Sequence, residues 1–402
     1  MKRLKVMGAY FRGIRFSALV LILMITVSTY FGTIVLARIN YLSECYKIVG
    51  GTTLENAYYM QIILPDSVEL TVESFQLDEE TVEWLNSCDA VDYVYTTGYA
   101  SGFKYSEDDA SFSLVLVDPK LVEAFPELKA VGFDFSENHE GLLIGGDGLV
   151  GYSDDAVELY ASYPEGHSEL FDVIGKLKRP FYFFSFTGTT TGSATASLFV
   201  DSGGYFFIEY NEENAARLSE IAYISFDMNY IVSFSSDADE GEVDEVLTEL
   251  SQYGVFVSLD EIIENTRSEM YDTIKEELPM MLFFLLVSLV SYLSMAVLTA
   301  KKKEHEMAVY YLCGVSRGEC AAIVCAANCV ISVIPALINV ILAAVLTGLD
   351  RTGHIDLDGY MYKSNVYFLI IGYFLLTVVV SVISTAASML QKTPLSFLRG
   401  KE

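Results

Sequence analysis

The sequence predicts an α-helical membrane protein with four transmembrane helices and an α/β extracytoplasmic domain that contains a mainly β insertion. Three observations support this fold class. Hydrophobic residues make up 52% of the 402-residue chain, they are concentrated in four long runs, and a very acidic segment follows the first run. The mean hydropathy of +0.36 is typical of a membrane component.

The four apolar runs are each long enough for the roughly 20 residues that a helix needs to cross the hydrocarbon core. None of them contains an ionised side chain; they are Phe16–Ala37, Leu278–Ala300, Ala321–Thr347 and Val366–Ser388. The first run is too long for the apolar region of a signal peptide, which has about 7–15 residues. Signal cleavage, or lipidation at Cys45 after a poorly matching lipobox, remains an alternative.

Charge predicts the orientation of the chain in the membrane. Residues 41–273 contain 45 acidic and 9 basic side chains, whereas the rest of the chain contains 9 acidic and 16 basic ones. The basic residues cluster at the N-terminus, around Lys301 and near the C-terminus. If the chain crosses the membrane four times, these three clusters lie on the same side. By the positive-inside rule that side is cytoplasmic. We therefore expect a multi-pass plasma-membrane protein with both termini inside and residues 41–275 outside.

These patterns divide the chain into eight segments. We expect an N-terminal interfacial helix and the first transmembrane helix (1–40), the extracytoplasmic domain (41–260), a stalk helix with the second transmembrane helix (261–303), a cytoplasmic coupling segment (304–318), the third transmembrane helix (319–348), a short outer loop (349–365), the fourth transmembrane helix (366–390) and a cytoplasmic tail (391–402). The apolar residues of 2–15 have helical spacing, which predicts the interfacial helix. The alternative is that these residues are only the basic flank of the first transmembrane helix.

The outer domain begins and ends with a β-α-β pattern. Strand-like residues at 57–64 and 91–97 flank a helical stretch at 78–87, and strands at 230–236 and 255–259 flank a helix that ends at Gly254. Two such units at opposite ends of one domain predict a split α/β sandwich. Five strand candidates lie between them, at 112–117, 141–144, 170–174, 181–186 and 205–210, with a Thr/Ser/Gly-rich loop at 188–197.

Helical spacing over residues 259–274 predicts that the last outer helix continues into the second crossing. Such a helix forms a stiff stalk that could transmit displacement, and an ordinary juxtamembrane helix is the alternative. Pro279 is expected to kink it.

The six cysteines have no metal-ligand spacing. Cys45 and Cys88 both lie in the predicted outer region, where either a disulfide or two free thiols would be compatible with the compartment. The four other cysteines lie in or beside the third span and are interpreted as small packing residues.

The sequence contains neither a nucleotide-binding loop nor a complete zinc-protease motif. There is no G-x-x-x-x-G-K-[ST] loop for nucleotide phosphates, and Val309 occupies the second histidine position of the apparent H-E-x-x-H at His305. No Asp, Glu, Lys, Arg or His lies within the four runs, which argues against ion translocation. We therefore expect no catalytic, cofactor-binding or metal site, no cofactor and no nucleic-acid partner.

The loop between the second and third spans is the most informative segment. Lys301-Lys302-Lys303 leads to Glu306-Met307-Ala308-Val309 and then to Gly314-Val315-Ser316. This loop resembles that of MacB/FtsX-type ABC permeases, although Tyr311 and Leu312 occupy positions where those permeases usually have Arg-Ala. The tail from Pro394 to Arg399 is similar to their closing Pro-x-x-x-Leu-Arg, and Leu116-Val117-Asp118-Pro119 resembles a core strand of the MacB-type outer domain.

The resemblance implies a function for the chain. It implies a non-catalytic permease subunit that docks a separate cytoplasmic ABC ATPase through Glu306, Met307, Ala308, Val309, Gly314 and Ser316. It also implies a second permease copy or paralogue, contact with membrane lipid, and transmission of ATP-driven motion to the outer domain for export or extraction of an amphiphilic peptide or lipid-like substrate. A regulatory protein of the FtsX type, which activates a cell-wall hydrolase or a sensor kinase, is one alternative. A surface-binding protein with inert spans is another.

Overall fold

The computed structural model describes residues 15–62, 77–104, 112–145, 155–161, 168–178, 182–184, 199–201, 205–221, 226–302, 309–310, 312–351, 355, 357 and 360–389. The chain divides into two compact units. The membrane unit comprises Met1–Asn40, Asp272–Thr347 and Tyr360–Glu402, and the α/β unit comprises Tyr41–Tyr271 and Gly348–Gly359. The interfacial helix expected at 2–15, the loop expected at 188–197 and the tail at 391–402 lie outside the described residues.

Helices of very different lengths occur in the described residues. In chain order they are α1 (Arg15–Gly50), α2 (Glu79–Ser87), α3 (Pro119–Ala124), α4 (Pro126–Val131), α5 (Glu212–Ile221), α6 (Glu240–Leu250), α7 (Leu259–Lys302), α8 (Arg317–Arg351) and α9 (Ser364–Met389). Four of them, α1, α7, α8 and α9, are long and apolar enough to cross a membrane. This confirms the four helices expected from the sequence, and α7 is continuous past Pro279, as expected.

The strands are short and belong mostly to one sheet. They are β1 (Ala57–Ile62), β2 (Val91–Lys104), β3 (Phe112–Val117), β4 (Leu142–Ile144), β5 (Ala156–Ala161), β6 (Ser168–Lys176), β7 (Tyr182–Phe184), β8 (Phe199–Asp201), β9 (Tyr205–Glu209), β10 (Phe226–Phe234) and β11 (Gly254–Ser258). Nine of these strands form one sheet in the order β11-β1-β10-β2-β3-β9-β4-β6-β5, and β7 pairs with β8 separately.

In the membrane unit the four long helices bury a shared apolar core. Ile25 of α1, Tyr292 of α7, and Val324 and Ile331 of α8 are almost fully buried in one cluster, against which Leu369 of α9 packs. Large apolar side chains such as Phe283 and Phe368 lie on the exposed sides of the same helices. Helices that are apolar on both sides are those that face lipid as well as each other.

The two ends of the α/β unit form the split sandwich that the sequence predicts. The strands β11, β1, β10 and β2 are neighbours, and every pair is antiparallel. Helices α2 and α6 lie in the two β-α-β units and bury Leu85, Val246 and Leu250 against strand residues that include Val232. Both helices begin with a side-chain cap, at Asp78 and Asp239, which satisfies backbone N–H groups that otherwise lack partners.

The insertion between these ends closes on itself. Strands β2, β3, β9, β4, β6 and β5 are neighbours in that order, and β5 pairs back with β2 at Phe103 and Lys104. All six strands contribute to one core, which Leu218 of α5 completes; its strand members include Phe103, Leu116, Phe171 and Phe206. The mainly β insertion is therefore confirmed, and its described strands form a closed ring around a packed interior.

Several elements of this insertion were not predicted from the sequence. The strand β5 was not predicted, although its buried Val157 and Leu159 alternate with the exposed Glu158, a strand signal. The helices α3 and α4 were also missed, although each has Pro at its first turn and α3 is capped by Asp118. These signals are local and short, which is why the surrounding strand pattern concealed them.

Candidate functional site

The coupling segment between α7 and α8 is described only in part. Glu306, Met307 and Ala308 lie outside the described residues, so the structure does not place half of the predicted docking set. Val309 and Tyr310 are helical, as is Leu312, and a turn follows at Cys313 and Gly314. The described part of the segment is therefore a short helical stretch that ends just before α8 begins.

Gly314 ends this helical stretch through its backbone. Its φ is +90°, in the left-handed region that favours glycine. The N–H of Val315 donates to the carbonyl of Tyr310 at 3.1 Å, and the N–H of Cys313 donates to that of Val309 at 3.1 Å. A bond from the residue after a left-handed glycine back across five residues is the Schellman helix ending. Gly314 is therefore needed to stop one helix.

Ser316 begins the next helix. Its hydroxyl accepts a hydrogen bond from the N–H of Glu319 at 3.2 Å, and its own N–H donates to the Glu319 carboxylate at 3.1 Å. This reciprocal pattern is a capping box, which commonly stabilises a helix start by about 1 kcal/mol. Gly314 and Ser316, two predicted docking residues, thus have backbone roles that set the turn between the segment and α8.

The side chains of the segment divide into an anchored set and an exposed set. Tyr310 and Val315 are partly buried and pack against the core of the membrane unit. Val309 is 47% exposed and Leu312 is 68% exposed, although both are apolar. The segment is thus anchored on one side and presents aliphatic side chains on the other. Leu312 was not in the predicted docking set, because it replaces a residue usual in the resembled family.

Polar contacts hold the helices of the membrane unit together. The hydroxyl of Tyr292 on α7 donates to the carbonyl of Asn328 on α8 at 3.1 Å. The hydroxyl of Tyr373 on α9 donates to the carbonyl of Leu285 on α7 at 2.9 Å. The amide of Asn339 bonds to the carbonyls of Pro335 and Thr26. Such groups normally join packed helices, and we assign them to helix packing.

Two further contacts join α1 to its neighbours near residue 40. Asn40 and Asn365 exchange side-chain hydrogen bonds at 2.8 and 2.6 Å, which tie α1 to α9. Arg38 forms an ion pair with Glu277 of α7. These contacts fix three of the four long helices to each other at one level of the unit.

The α/β unit contains one histidine pair that the sequence did not indicate. His139 lies in the loop before β4, and its Nδ1 is 2.6 Å from the carboxylate of Glu209 at the end of β9. Hydrogen bonding and charge attraction from Glu209 raise the pKa of His139 above its ordinary value. The buried amide of Asn214 donates to the backbone carbonyls of both residues at 2.8 Å. The arrangement fixes a loop and contains no nucleophile.

Asp118 has a capping role. It is buried at the end of β3, and its carboxylate accepts from the N–H of Lys120 at 2.8 Å. Burial raises the pKa of Asp118. Among the described residues, no group of three or more His, Cys, Asp or Glu side chains could hold a metal ion.

The disulfide considered for Cys45 and Cys88 is not formed. Both side chains are free thiols, Cys45 buried in α1 and Cys88 half-buried at the end of α2. Cys88 packs with the apolar residues between α2, α6 and the sheet. Free thiols are one of the two alternatives that the sequence left open for this pair.

Comparisons with known proteins give distant likenesses only. No protein-family model matches the chain, and no curated protein matches it. The extracellular domain of the noncanonical ABC-type transporter YknZ from Gram-positive bacteria is similar over 50% of this chain and 99% of its own, with 16% identity and a TM-score of 0.29. The periplasmic region of MacB from Actinobacillus actinomycetemcomitans is similar over 57% and 96%, with 11% identity and a TM-score of 0.31. At TM-scores this low, the function is inferred from the residues of this chain.

Proposed function

We propose that this chain is the permease subunit of a MacB/FtsX-type ABC transporter. A separate cytoplasmic ATPase docks on residues 306–316, and its ATP-driven motion passes to the α/β unit outside the membrane. The motion serves the export or extraction of an amphiphilic peptide or lipid-like substrate. The chain itself is non-catalytic in this proposal, and ATP hydrolysis belongs to the partner.

The exposed aliphatic pair on the coupling segment carries the proposal. Val309 and Leu312 are exposed on a segment whose other side is anchored to the membrane unit by Tyr310 and Val315. Neighbouring apolar side chains that are exposed together can form a surface that binds another protein. The chain has no nucleotide-binding loop of its own, so an energy source has to come through such a contact.

The charge distribution supports the proposed sidedness. Basic residues adjoin the coupling segment in the sequence, with Lys301 and Lys302 at the end of α7 followed by Lys303. The α/β unit carries most of the 54 acidic residues. The positive-inside rule assigns the segment to the cytoplasm and the α/β unit to the opposite side. An ATPase could then reach the segment.

The continuous helix α7 supports the proposed transmission. It contains 44 residues, from Leu259 beside β11 to Lys302 beside the coupling segment. At 1.5 Å per residue a helix of this length measures about 66 Å, enough to cross the bilayer and extend well beyond it. Helices shift as units more readily than they deform, so displacement of one end of α7 displaces the other end.

Two further partners belong to the proposal. A second permease copy or a paralogue completes a dimer on which the ATPases act in pairs, and the exposed apolar sides of the four long helices contact membrane lipid. The absence of ionised side chains within the four runs favours mechanical transmission over a path for ions through the helices.

The test is a charge placed on the coupling segment. The Leu312→Glu variant adds a carboxylate to the proposed docking surface, where desolvating it on contact is costly. We expect loss of ATPase co-purification and loss of permease-stimulated ATP hydrolysis. The matched control is Leu170→Glu on β6, because Leu170 is 60% exposed against 68% for Leu312.

The control variant should retain the ATPase, and both variants should insert into the membrane normally. ATPase binding by Leu312→Glu at the level of the unmodified chain would contradict the docking assignment. Equal loss of binding in both variants would show a general effect of added charge, and would also count against it.

A further inference from the structure

Among the described strands, β11 lies at one edge of the large sheet. It is the first strand in the sheet order and pairs only with β1 among the described strands. In an antiparallel pair the backbone groups of alternate residues point away from the partner strand. The outer side of β11 therefore has N–H and C=O groups that pair with no described strand and that another extended chain could bind.

This edge lacks the usual protection against strand addition. Natural edge strands are commonly protected by charged side chains, proline or bulges. The five residues of β11 are Gly254-Val255-Phe256-Val257-Ser258, with no charge and no proline, and their register with β1 contains no bulge. Phe256 packs on the side of the sheet that α2 and α6 cover, whereas Val255 is 43% exposed. An exposed apolar edge of this kind is suited to binding an extended partner.

The chain segments on either side of β11 carry only negative charge. From Asp237 to Glu261 the chain contains nine Asp and Glu residues and no Lys or Arg. All nine carboxylate residues are exposed, and none forms an ion pair with a described Lys or Arg. The first basic residue that follows, Arg267, is paired with Glu264. A cationic chain would therefore be attracted to the edge, and an anionic one repelled.

We infer that the free edge of β11 binds an extended polypeptide segment rich in Lys or Arg, which adds to the sheet as a further strand. Main-chain hydrogen bonds supply affinity in strand addition, and the carboxylates of α6 and α7 select for positive charge. A second copy of this chain is a poor occupant, because it would bring the same carboxylates to the same edge.

The inference deepens the proposed function by naming a substrate class, and it rests on that proposal only for the physiological role of the peptide. Binding itself requires neither nucleotide nor the ATPase. If a peptide binds while Leu312→Glu retains the ATPase, the docking proposal alone is contradicted. If no peptide binds while Leu312→Glu loses the ATPase, this inference alone is contradicted.

The experiment uses the full chain in nanodiscs of phosphatidylcholine, a lipid without net charge, so that the membrane does not attract the probe. The probe is a synthetic peptide of alternating Lys and Val, about six residues long, which is the usual strand length. Two comparison peptides carry Glu in place of Lys, or N-methyl groups on alternate backbone amides. The methylated peptide keeps its charge and loses the N–H groups of one edge.

We expect the Lys-Val peptide to bind, the Glu-Val peptide not to bind, and the methylated peptide to bind at least about tenfold more weakly. The Val255→Lys variant should weaken Lys-Val binding by a similar factor, because a charged side chain protects an edge and repels the probe. The control Val255→Thr keeps the β-branched shape and should bind within about twofold of the unmodified chain.

Three results would overturn the inference. Equal binding of the methylated and unmethylated peptides would show attraction by charge without strand pairing. Unchanged binding by Val255→Lys, with its fold intact by circular dichroism, would place the peptide elsewhere. Loss of a dimer of the full chain in Val255→Lys, with peptide binding unchanged, would make the edge an interface between copies.

Discussion

Gly314 and Ser316 are separated by one residue, yet each is part of a different helix boundary. Gly314 supplies a positive φ that ends the helical stretch within the coupling segment, and Ser316 supplies the cap that starts α8. The resemblance of the loop to MacB/FtsX-type permeases picked out both residues, but it could not separate a docking role from a folding role. The exposed Leu312, absent from the predicted set, is the better candidate for direct contact with a partner.

Replacing Gly314 should be costly because of its backbone conformation and not because of crowding. Among the described residues, and apart from its two chain neighbours, no atom lies within 4 Å of the position that a Cβ would occupy. A left-handed conformation costs other residues about 1–2 kcal/mol, with Asn among the exceptions. We expect Gly314→Val to lower the thermal unfolding temperature and Gly314→Asn to change it little. The control is Gly318→Ala, which also faces open space but lies within α8; a larger effect there than at Gly314 would contradict this explanation.

His139 should titrate above the ordinary range of histidine, since Glu209 raises its pKa. The raised pKa means that the folded chain favours the protonated ring, so the pair stabilises the α/β unit below the ordinary histidine pKa. That contribution is lost as the pH rises through the raised value. A proton NMR titration of the full chain in micelles can follow it, because only four histidines are present.

The Glu209→Gln variant should return the pKa of His139 toward its ordinary value. Glu140→Gln is the control, because Glu140 lies beside His139 in the chain and pairs with Arg217 instead. An unchanged titration in Glu209→Gln would disprove the assigned cause of the shift.

At the scale of elements, α7 is the part of the molecule on which the proposed transmission depends. Its helical spacing predicted the continuous helix, because positions three or four residues apart from Leu259 to Ile274 are apolar with the exception of Thr266. Pro279, at which the sequence predicts a kink, lies inside this continuous helix. Where a proline lies inside a membrane helix, neighbouring groups can compensate for the lost backbone bond.

A second proline in α7 should interrupt transmission without removing the docking segment. Asp272 is exposed within α7, and Asp272→Pro removes a backbone hydrogen bond at a cost of about 3 kcal/mol. We expect this variant to keep ATPase binding. It should lose the ATP-dependent change in the distance between spin labels on Glu137→Cys in the two copies of the proposed permease dimer. The control Asp272→Ala keeps the helix and should keep the change. A distance change that persists in Asp272→Pro would remove α7 from the mechanism.

The limits of sequence reasoning are clearest in the β insertion. Individual strands such as β3 and β9 were predicted, because each has a run of apolar residues that the structure buries. Closure of the ring was not predicted, because it depends on pairing Phe103 with Ala161, far apart in the chain. Periodicity reports which residues are buried and not which strand lies beside which. The free edge at β11 was undetectable for the same reason.

At the scale of the whole molecule, basic and acidic residues are concentrated in different parts of the chain. The apolar runs and the charge asymmetry predicted four long helices and one large acidic domain, and both are present. The coupling segment lies between α7 and α8 and the α/β unit between α1 and α7. The proposed mechanism requires the coupling segment and the α/β unit to face opposite sides of the membrane.

The central claim is therefore tested most directly by labelling intact cells with a membrane-impermeant maleimide. The natural Cys313 is an exposed reporter within the coupling segment, and Ser251→Cys supplies an exposed reporter in the α/β unit. Each is studied in a chain whose other cysteines are replaced by serine. We expect the cysteine at position 251 to be labelled in intact cells and Cys313 only after permeabilisation. Labelling of Cys313 in intact cells would place the docking surface outside, beyond the reach of a cytoplasmic ATPase.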